Sequence, residues 1–306
     1  MNLWVGITDG DWYRHLRSIP DLDEVNFWQP SGGRGFRVLK RGEPFLFKLH
    51  SPDNFIVGGG FFLDHIRSSP VSVAWDAFDV RNGAASQAEM RRRVAKYRRE
   101  PDVGQDYEIG NILLTQPFFF DRDEWIPVPE DWSRSIQQGK TYDLHRGPGA
   151  DLWQQVRLRL SPGLGWTELA ERPMYGDPIL VAPRLGQGSF KLILTDAYQR
   201  RCAITGEKAL PTLDAAHIRG VAEGGRHELP NGLLLRADVH RLFDRGYVTV
   251  TPDDLRVRVS RKLREDFDDG EPYLPFDRRE IWTPADPALR PGREFLEWHA
   301  DTRFRG

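Results

Sequence analysis

The segment Asp214–Asp244, DAAHIRGVAEGGRHELPNGLLLRADVHRLFD, constrains this chain more tightly than any other. It places His217 at the end of a short apolar run, then Asn231, then His240, with Asp244 one helical turn further on. Residues 211–218 (PTLDAAHI) are mostly apolar and lie between a proline and a glycine-rich loop, so they predict a strand that delivers His217 at its end. Gly224-Gly225 marks a turn in the loop, and Gly232–Leu235 can return antiparallel as a second strand. From Arg236 the periodicity is helical: Val239, Leu242 and Phe243 share an apolar face, while His240 and Asp244 share another. Strand, loop, strand, helix is the expected unit.

A His and a carboxylate four residues apart on a helix, facing an Asn and a strand-end His, can hold one divalent ion beside a general base. Mg²⁺ or Mn²⁺ suits the oxygen ligands, whereas an imidazole in the ligand set favours Mn²⁺, Co²⁺, Ni²⁺ or Zn²⁺, so the metal's identity stays open. For phosphodiester hydrolysis His217 would take a proton from the attacking water, and the ion would stabilise charge growing on the phosphate and the leaving oxygen.

These residues, with the surrounding YQRRCAITG, LDAAHI and NGLLLRADVHRLFDRG, resemble the HNH nucleases of the ββα-metal fold, in the branch found among predicted restriction endonucleases. The resemblance implies that His217 is the general base, that Asn231 fixes the loop or touches the ion, and that His240 and Asp244 are metal ligands. Many HNH nucleases carry an acidic or His ligand immediately before the general base, where this chain has Ala216. Asp214, two residues earlier on the strand, is the expected substitute. His227, alone in the loop, carries no predicted role.

A length of 306 residues predicts two domains. No apolar run is long enough to span a membrane, and the acidic start MNLWVGITDGDWYRHL does not read as a signal peptide, which predicts a cytoplasmic protein. The single cysteine, Cys202, excludes an intramolecular disulfide and a Cys-pair zinc knuckle, and reads as a packed thiol. The net charge of −2 argues weakly against a nucleic-acid binder until it is divided by region. Residues 184–264 carry 15 Lys and Arg against 9 Asp and Glu, whereas residues 265–306 carry 6 against 11. The basic charge therefore travels with the His217–Asp244 motif, as a phosphate-contacting module requires. Arg184, Lys191, Arg200 and Arg201 are the expected phosphate contacts.

In the N-terminal half, MNLWVGIT predicts a strand, DWYRHLRSIP a short helix, and Phe45–Leu49 and Phe55–Phe62 barrel strands. Gly58, Gly59 and Gly60 call for close approach by another backbone or a ligand. Pro70–Phe78 predicts a short helix, Ser86 with Glu89 a capping box for an Arg-rich helix, and Ile109–Phe120 a buried strand interrupted by Pro117. The motif NFWQPSGG and the later GGG-aromatic strand are similar to EVE-type domains of the PUA superfamily, which implies a β-barrel with helices that lifts a base, often a modified one, out of the stack. Trp28, Trp12, Phe61 and Trp75 would supply stacking faces, and Gln29, Asn26, Ser31 and Asn54 hydrogen bonds to a base edge.

The polar, Gly-containing stretch 133–150 is the expected hinge. Residues 151–160 read as a helix, and residues 190–197 as an amphipathic one leading into the motif. The expected organisation is an α+β protein: an EVE/PUA-like reader at 1–145, a linker at 146–183, and an HNH endonuclease domain at 184–306 with an acidic tail. The function implied is a modification-dependent restriction endonuclease acting on double-stranded DNA with 5-methyl- or 5-hydroxymethylcytosine, as a homodimer so that both strands are cut. The alternatives are a nuclease for unmodified or structured DNA or RNA, and a nucleic-acid-binding protein with a degenerate metal site.

Overall fold

The computed structural model describes residues 1–33, 35–98, 106–160, 185–267 and 270–306. They divide into two units, Met1–Gly186 and Gln187–Gly306. The class is α+β, with a seven-stranded sheet in the first unit and a strand–strand–helix module in the second.

The first unit is built on strands β1 (Asn2–Thr8), β2 (Glu24–Gln29), β3 (Pro44–Leu49), β4 (Phe55–Pro70), β5 (Glu108–Phe119), β6 (Ile126–Pro127) and β7 (Gly139–Asp143). Their order is β2-β5-β4-β3-β1-β7, with β6 paired to the start of β4. Only β1 and β3 pair in parallel. Asp9 caps helix α1 (Gly10–Arg17) by accepting from the Trp12 amide at 2.7 Å, and that helix belongs to the crossover between these two strands. Trp12, Tyr13 and Leu16 turn its buried face onto Phe45, Phe47 and Val57 of the sheet. At roughly 1.5–3 kcal/mol per large side chain, this burial holds the crossover down. The opposite sheet face carries Leu3, Val5, Leu46 and Phe61.

Glycines let β4 lie tightly between its neighbours. A Cβ on Gly58 would stand 2.2 Å from the carbonyl oxygen of Phe118, and one on Gly59 would stand 2.7 Å from that of Phe45. The close approach expected of this triplet is therefore backbone on backbone. Pro117 does not interrupt β5, because Gln116 adopts φ 49° and the pairing with β4 slips between Gly59 and Phe61. A bulge absorbs the missing donor. Helices α2 (Val71–Phe78) and α3 (Gln87–Lys96) cover one end of the sheet, with Val71, Ala74, Met90 and Val94 in contact.

Two boundary expectations change. Within the expected hinge, β7 pairs with β1 from Asn2↔Asp143 to Gly6↔Gly139. Helix α4 (Gly147–Leu160), placed in the linker from sequence, packs Leu152, Trp153 and Val156 against Leu3, Val5 and Phe61. Polar composition misled here: Tyr142 and Leu144 are the buried anchors of an otherwise hydrophilic stretch.

The second unit opens with helix α5 (Gln187–Ala197). It lies on the hairpin of β8 (Leu213–His217) and β9 (Gly232–Arg236), which is in register from Leu213↔Arg236 to His217↔Gly232. Gly232 permits this packing, since a Cβ there would meet the Phe190 ring at 2.8 Å. Helix α6 (Ala237–Asp244) follows directly, burying Val239 and Phe243. Strands β10 (Val248–Val250) and β11 (Val257–Val259) pair as a second hairpin. The short helix α7 (Lys262–Phe267) follows, and terminal helix α8 (Arg293–Thr302) buries Leu296 and His299.

Candidate active site

The β8–β9–α6 module has the strand, loop, strand, helix order that the spacing predicts. His217 ends β8, and its ring stacks on Phe190 of α5 at 4.4 Å and 7°. Its Nε2 lies 3.0 Å from Nδ1 of His227. Burial, together with the charges of His227 and His240, pushes His217 down to about 4, so the ring is neutral at physiological pH and available as a base.

Asn231 is fully buried and acts on the loop. Its Oδ1 accepts from the Arg219 amide at 2.8 Å, while its Nδ2 donates to the carbonyls of Arg219 (2.9 Å) and Arg226 (3.0 Å). The side chain thus ties both ends of the 219–226 loop to the start of β9. Every polar atom of the amide is used, as burial demands.

His240 lies between two carboxylates. Its Nδ1 is 3.2 Å from Oδ2 of Asp214, and its Nε2 is 3.4 Å from Oδ2 of Asp244. Burial raises the Asp244 carboxyl; His240 and Arg303 oppose this, and the negative charges of Glu223 and Asp214 add to it. Carboxylates crowded in this way favour a bound cation. Ala216 is buried, and the Asp214 carboxylate, two residues earlier, is the one in contact with His240. Two carboxylates and one imidazole are a donor set whose chemistry fits Mn²⁺, Mg²⁺ or a later divalent ion. Among the described residues no group of three or more His, Cys, Asp or Glu side chains is arranged to hold a metal ion. Instead, His240 presents one ring nitrogen to each carboxylate.

Sequence reasoning gave His227 no role and treated Phe190 only as part of an apolar stripe. The signal for His227 was its place in the loop between His217 and Asn231. Glu223 also escaped notice: it pairs with Arg303, whose guanidinium lies over Trp298 at 5.9 Å. Of the expected phosphate contacts, Lys191 follows Phe190 on α5, Arg200 lies just beyond that helix, and the Arg201 guanidinium sits 5.9 Å from the Trp282 ring. Arg184 lies outside the described residues. Cys202 is buried and accepts from the amides of Thr205 and Arg236, as a packed thiol does.

The first unit holds a cavity of about 470 Å³ lined by Trp4, Trp12, Trp28, Phe36, Tyr97 and polar groups including Asp9, Gln29 and His50. Of the residues expected to face a base, Trp12, Trp28 and Gln29 line this cavity. Asn26, Ser31, Asn54, Phe61 and Trp75 are not on its walls. Asn26 is buried, donating to Asn82 and Asn111 at 2.8 Å each, and Asn54 accepts from Lys48 Nζ at 2.8 Å. Phe61 packs in the core on the opposite sheet face, Trp75 against the α2–α3 cluster, and Ser31 is exposed in a turn. Residue type identified plausible ring and amide donors; strand register decided which face each one serves.

Within the cavity wall, Gln29 is oriented by a neighbour. The Phe36 amide donates to Nδ1 of His65, so Nε2 of His65 carries the proton and donates to Oε1 of Gln29 at 3.2 Å. Burial pushes His65 down to about 4, which keeps that tautomer neutral. Gln29 is left offering its NH₂, while the Asp9 carboxylate caps α1 and also takes a side-chain hydrogen bond from Tyr97 on the same wall.

Among solved structures, the ASCH protein from Zymomonas mobilis matches 44% of this chain and 88% of its own at 14% identity and a TM-score of 0.27. A mutant form of it matches 49% and 95% at 11% and 0.32. A structure described as the modification-dependent TagI restriction endonuclease matches 99% of this chain and 81% of its own at 13% and 0.27. No curated protein matches significantly. The family model for HNH endonuclease matches residues 202–251, the span that contains His217, Asn231, His240 and Asp244. The second unit of this chain therefore contains an HNH endonuclease domain.

Proposed function

We propose that the chain is a metal-dependent DNA endonuclease that cuts DNA bearing a modified cytosine. The observation that carries the hydrolytic part is a neutral His217 at a strand end on the same ββα module as His240 and the two carboxylates in contact with it, Asp214 and Asp244. Asp214, His240 and Asp244 would hold a divalent ion, which when bound supplies Lewis-acid stabilisation of charge on the phosphate and the leaving oxygen. His217 accepts a proton from the attacking water, and Phe190 holds the ring plane while it does so. Asn231 keeps the loop beside the general base in shape.

The cavity of the first unit supports the modified-base part. Its volume accommodates a flipped pyrimidine, its rings offer stacking faces, and Asp9 and Gln29 offer an acceptor and a donor for an edge carrying both an amino group and a carbonyl. Cytosine has such an edge. Double-stranded DNA is the substrate in this reading, and cutting both strands calls for two copies of the site, hence a homodimer on the DNA.

The test is digestion of matched plasmids whose cytosines are unmodified, 5-methylated or 5-hydroxymethylated, with Mg²⁺ or Mn²⁺, and with His217→Ala as control. Cutting confined to modified plasmids and abolished by EDTA is expected. Equal cutting of all three removes the modified-base part. Binding without cutting removes the nuclease part and leaves a nucleic-acid-binding protein.

A further inference from the structure

We propose that His227 is a positioning residue for the general base: its Nδ1 accepts the Nε2–H of His217 and fixes the tautomer that leaves Nδ1 of His217 free to take a proton. This rests on the nuclease reading above and adds a residue to it.

The proton arrangement follows from the two states that His217 must visit. The rings meet through His217 Nε2 and His227 Nδ1 at 3.0 Å, with a 60° angle between their planes. One proton occupies that contact, and it resides on one ring or the other. If His227 Nδ1 carried it, the neutral His217 would bear its own proton on Nδ1 and could not act as a base there. After the reaction His217 is an imidazolium with protons on both nitrogens, so His227 Nδ1 must then be the acceptor. Only the arrangement in which His217 Nε2 donates serves both states without a rearrangement. Among the described residues, Nδ1 of His217 has no hydrogen-bond partner, which is the condition for receiving a proton.

The water O–H bond breaks and its proton forms an N–H bond at His217 Nδ1. The water oxygen bonds to phosphorus, the scissile P–O bond breaks, and the leaving oxygen takes that electron pair and a proton from solvent. Throughout, His227 Nδ1 holds the far side of the ring, in a contact that strengthens as the ring becomes positive.

The fold holds His227 in place for this. It sits between Arg226, whose carbonyl accepts from Asn231 Nδ2, and Glu228, whose carbonyl accepts from the Asn231 amide at 2.9 Å. Phe190 covers one face of His217 and lies 5.8 Å from the His227 ring, so a single aromatic side chain backs both imidazoles. Asn231 and His227 therefore act on His217 as one assembly: the buried amide shapes the loop, and the loop presents the acceptor.

The experiment compares His227→Leu with His227→Asn in the full chain. The Asn Oδ1 occupies the place of Nδ1 and can accept the same hydrogen bond, whereas Leu cannot. We expect the Leu variant to lose about 100-fold in kcat with KM for DNA nearly unchanged, and the Asn variant to recover to within about tenfold of the parent. ¹⁵N-histidine NMR supplies a readout that does not depend on cutting: His217 is the Nε2–H tautomer in the parent and the Asn variant, and a mixture in the Leu variant. Equal activity of all three proteins, equal losses in Leu and Asn, or an unchanged His217 tautomer in the Leu variant overturns the proposal. A parent that binds but does not cut DNA refutes the nuclease reading, while the NMR comparison still decides the hydrogen bond.

Discussion

Asn231 grips Arg219 by both ends of its peptide character, accepting from the amide at 2.8 Å and donating to the carbonyl at 2.9 Å. No other side chain type of that size does both, because only a primary amide has an acceptor and two donors in one plane. Asn231→Asp keeps the acceptor, loses both donors and buries a charge. It is expected to destabilise the second unit more than Asn231→Ala does, with each unsatisfied buried group costing about 1–3 kcal/mol. Cleavage should fall about 100-fold in both variants, because the loop that presents His227 loosens. Urea unfolding and single-turnover cleavage check this, and wild-type stability in either variant would refute it.

His217 lies at about 4, and the pH dependence of cleavage reports it. A base must be neutral, so the acid limb of kcat/KM is expected near pH 4 to 5 in place of the pH 6.5 of a solvated imidazole. Activity should therefore hold between pH 7 and 5.5. Burial is the first cause of the depression, so a substitution that opens the ring to solvent, such as Phe190→Ala, should shift the limb upward. A limb at pH 6.5 in the parent, measured with saturating metal, would show that His217 is solvated or is not the base.

The ββα module was legible because its chemistry and its periodicities coincide in one short segment. His217, Asn231, His240 and Asp244 each occupy an element end or helix face that alternation and the 3.6-residue repeat specify locally. Asp214 was legible for the same reason, through strand alternation from Ala216. His227 was not, since an irregular loop has no period, and its pairing with His217 depends on bonds made by Asn231. The first unit was legible as strands and helices but not as faces. Asn26 and Phe61 belong to a sheet covered on both sides, where neither composition nor alternation tells cavity from core. Helix α4 escaped the domain boundary because its partners, Leu3 and Val5, lie at the far end of the sequence.

The cavity makes a prediction that the discarded residues sharpen. Trp28 donates its indole N–H to the Asn82 carbonyl at 3.1 Å, which fixes its ring at the wall beside Tyr97. Trp28→Ala should weaken binding to DNA carrying the modified base by about 1–3 kcal/mol, the usual value of one base–aromatic stack, and leave binding to unmodified DNA alone. Asn54→Ala is the matched control: it loses the Lys48 contact outside the cavity and should leave modified-base preference intact. Fluorescence anisotropy with paired oligonucleotides reads both. Equal loss on modified and unmodified DNA would make Trp28 a structural ring.

His299 gives the second unit a pH-dependent stability separate from the active site. The ring is buried on α8, stacks on Phe243 at 3.7 Å, accepts from the Thr249 hydroxyl at Nδ1 and donates from Nε2 to the Phe243 carbonyl. The carbonyl can only accept, so the neutral Nε2–H tautomer is the one that satisfies both partners. Burial pushes the ring down to about 4, against 6.5 in the unfolded chain. Between those values the unfolded chain binds more protons than the folded one, so folding stability rises with pH there. The contribution is complete above pH 6.5 and is lost as the pH falls toward 4, a loss on the order of 3 kcal/mol for a shift of this size. The protection factors of the β10 amides, taken relative to intrinsic exchange at each pH, should fall as the pH is lowered across that window in the parent. His299→Gln, which cannot be protonated, should start less stable and show a flatter profile. A parent whose β10 protection is unchanged from pH 7 to 4.5 would mean that the ring is not held neutral by the fold.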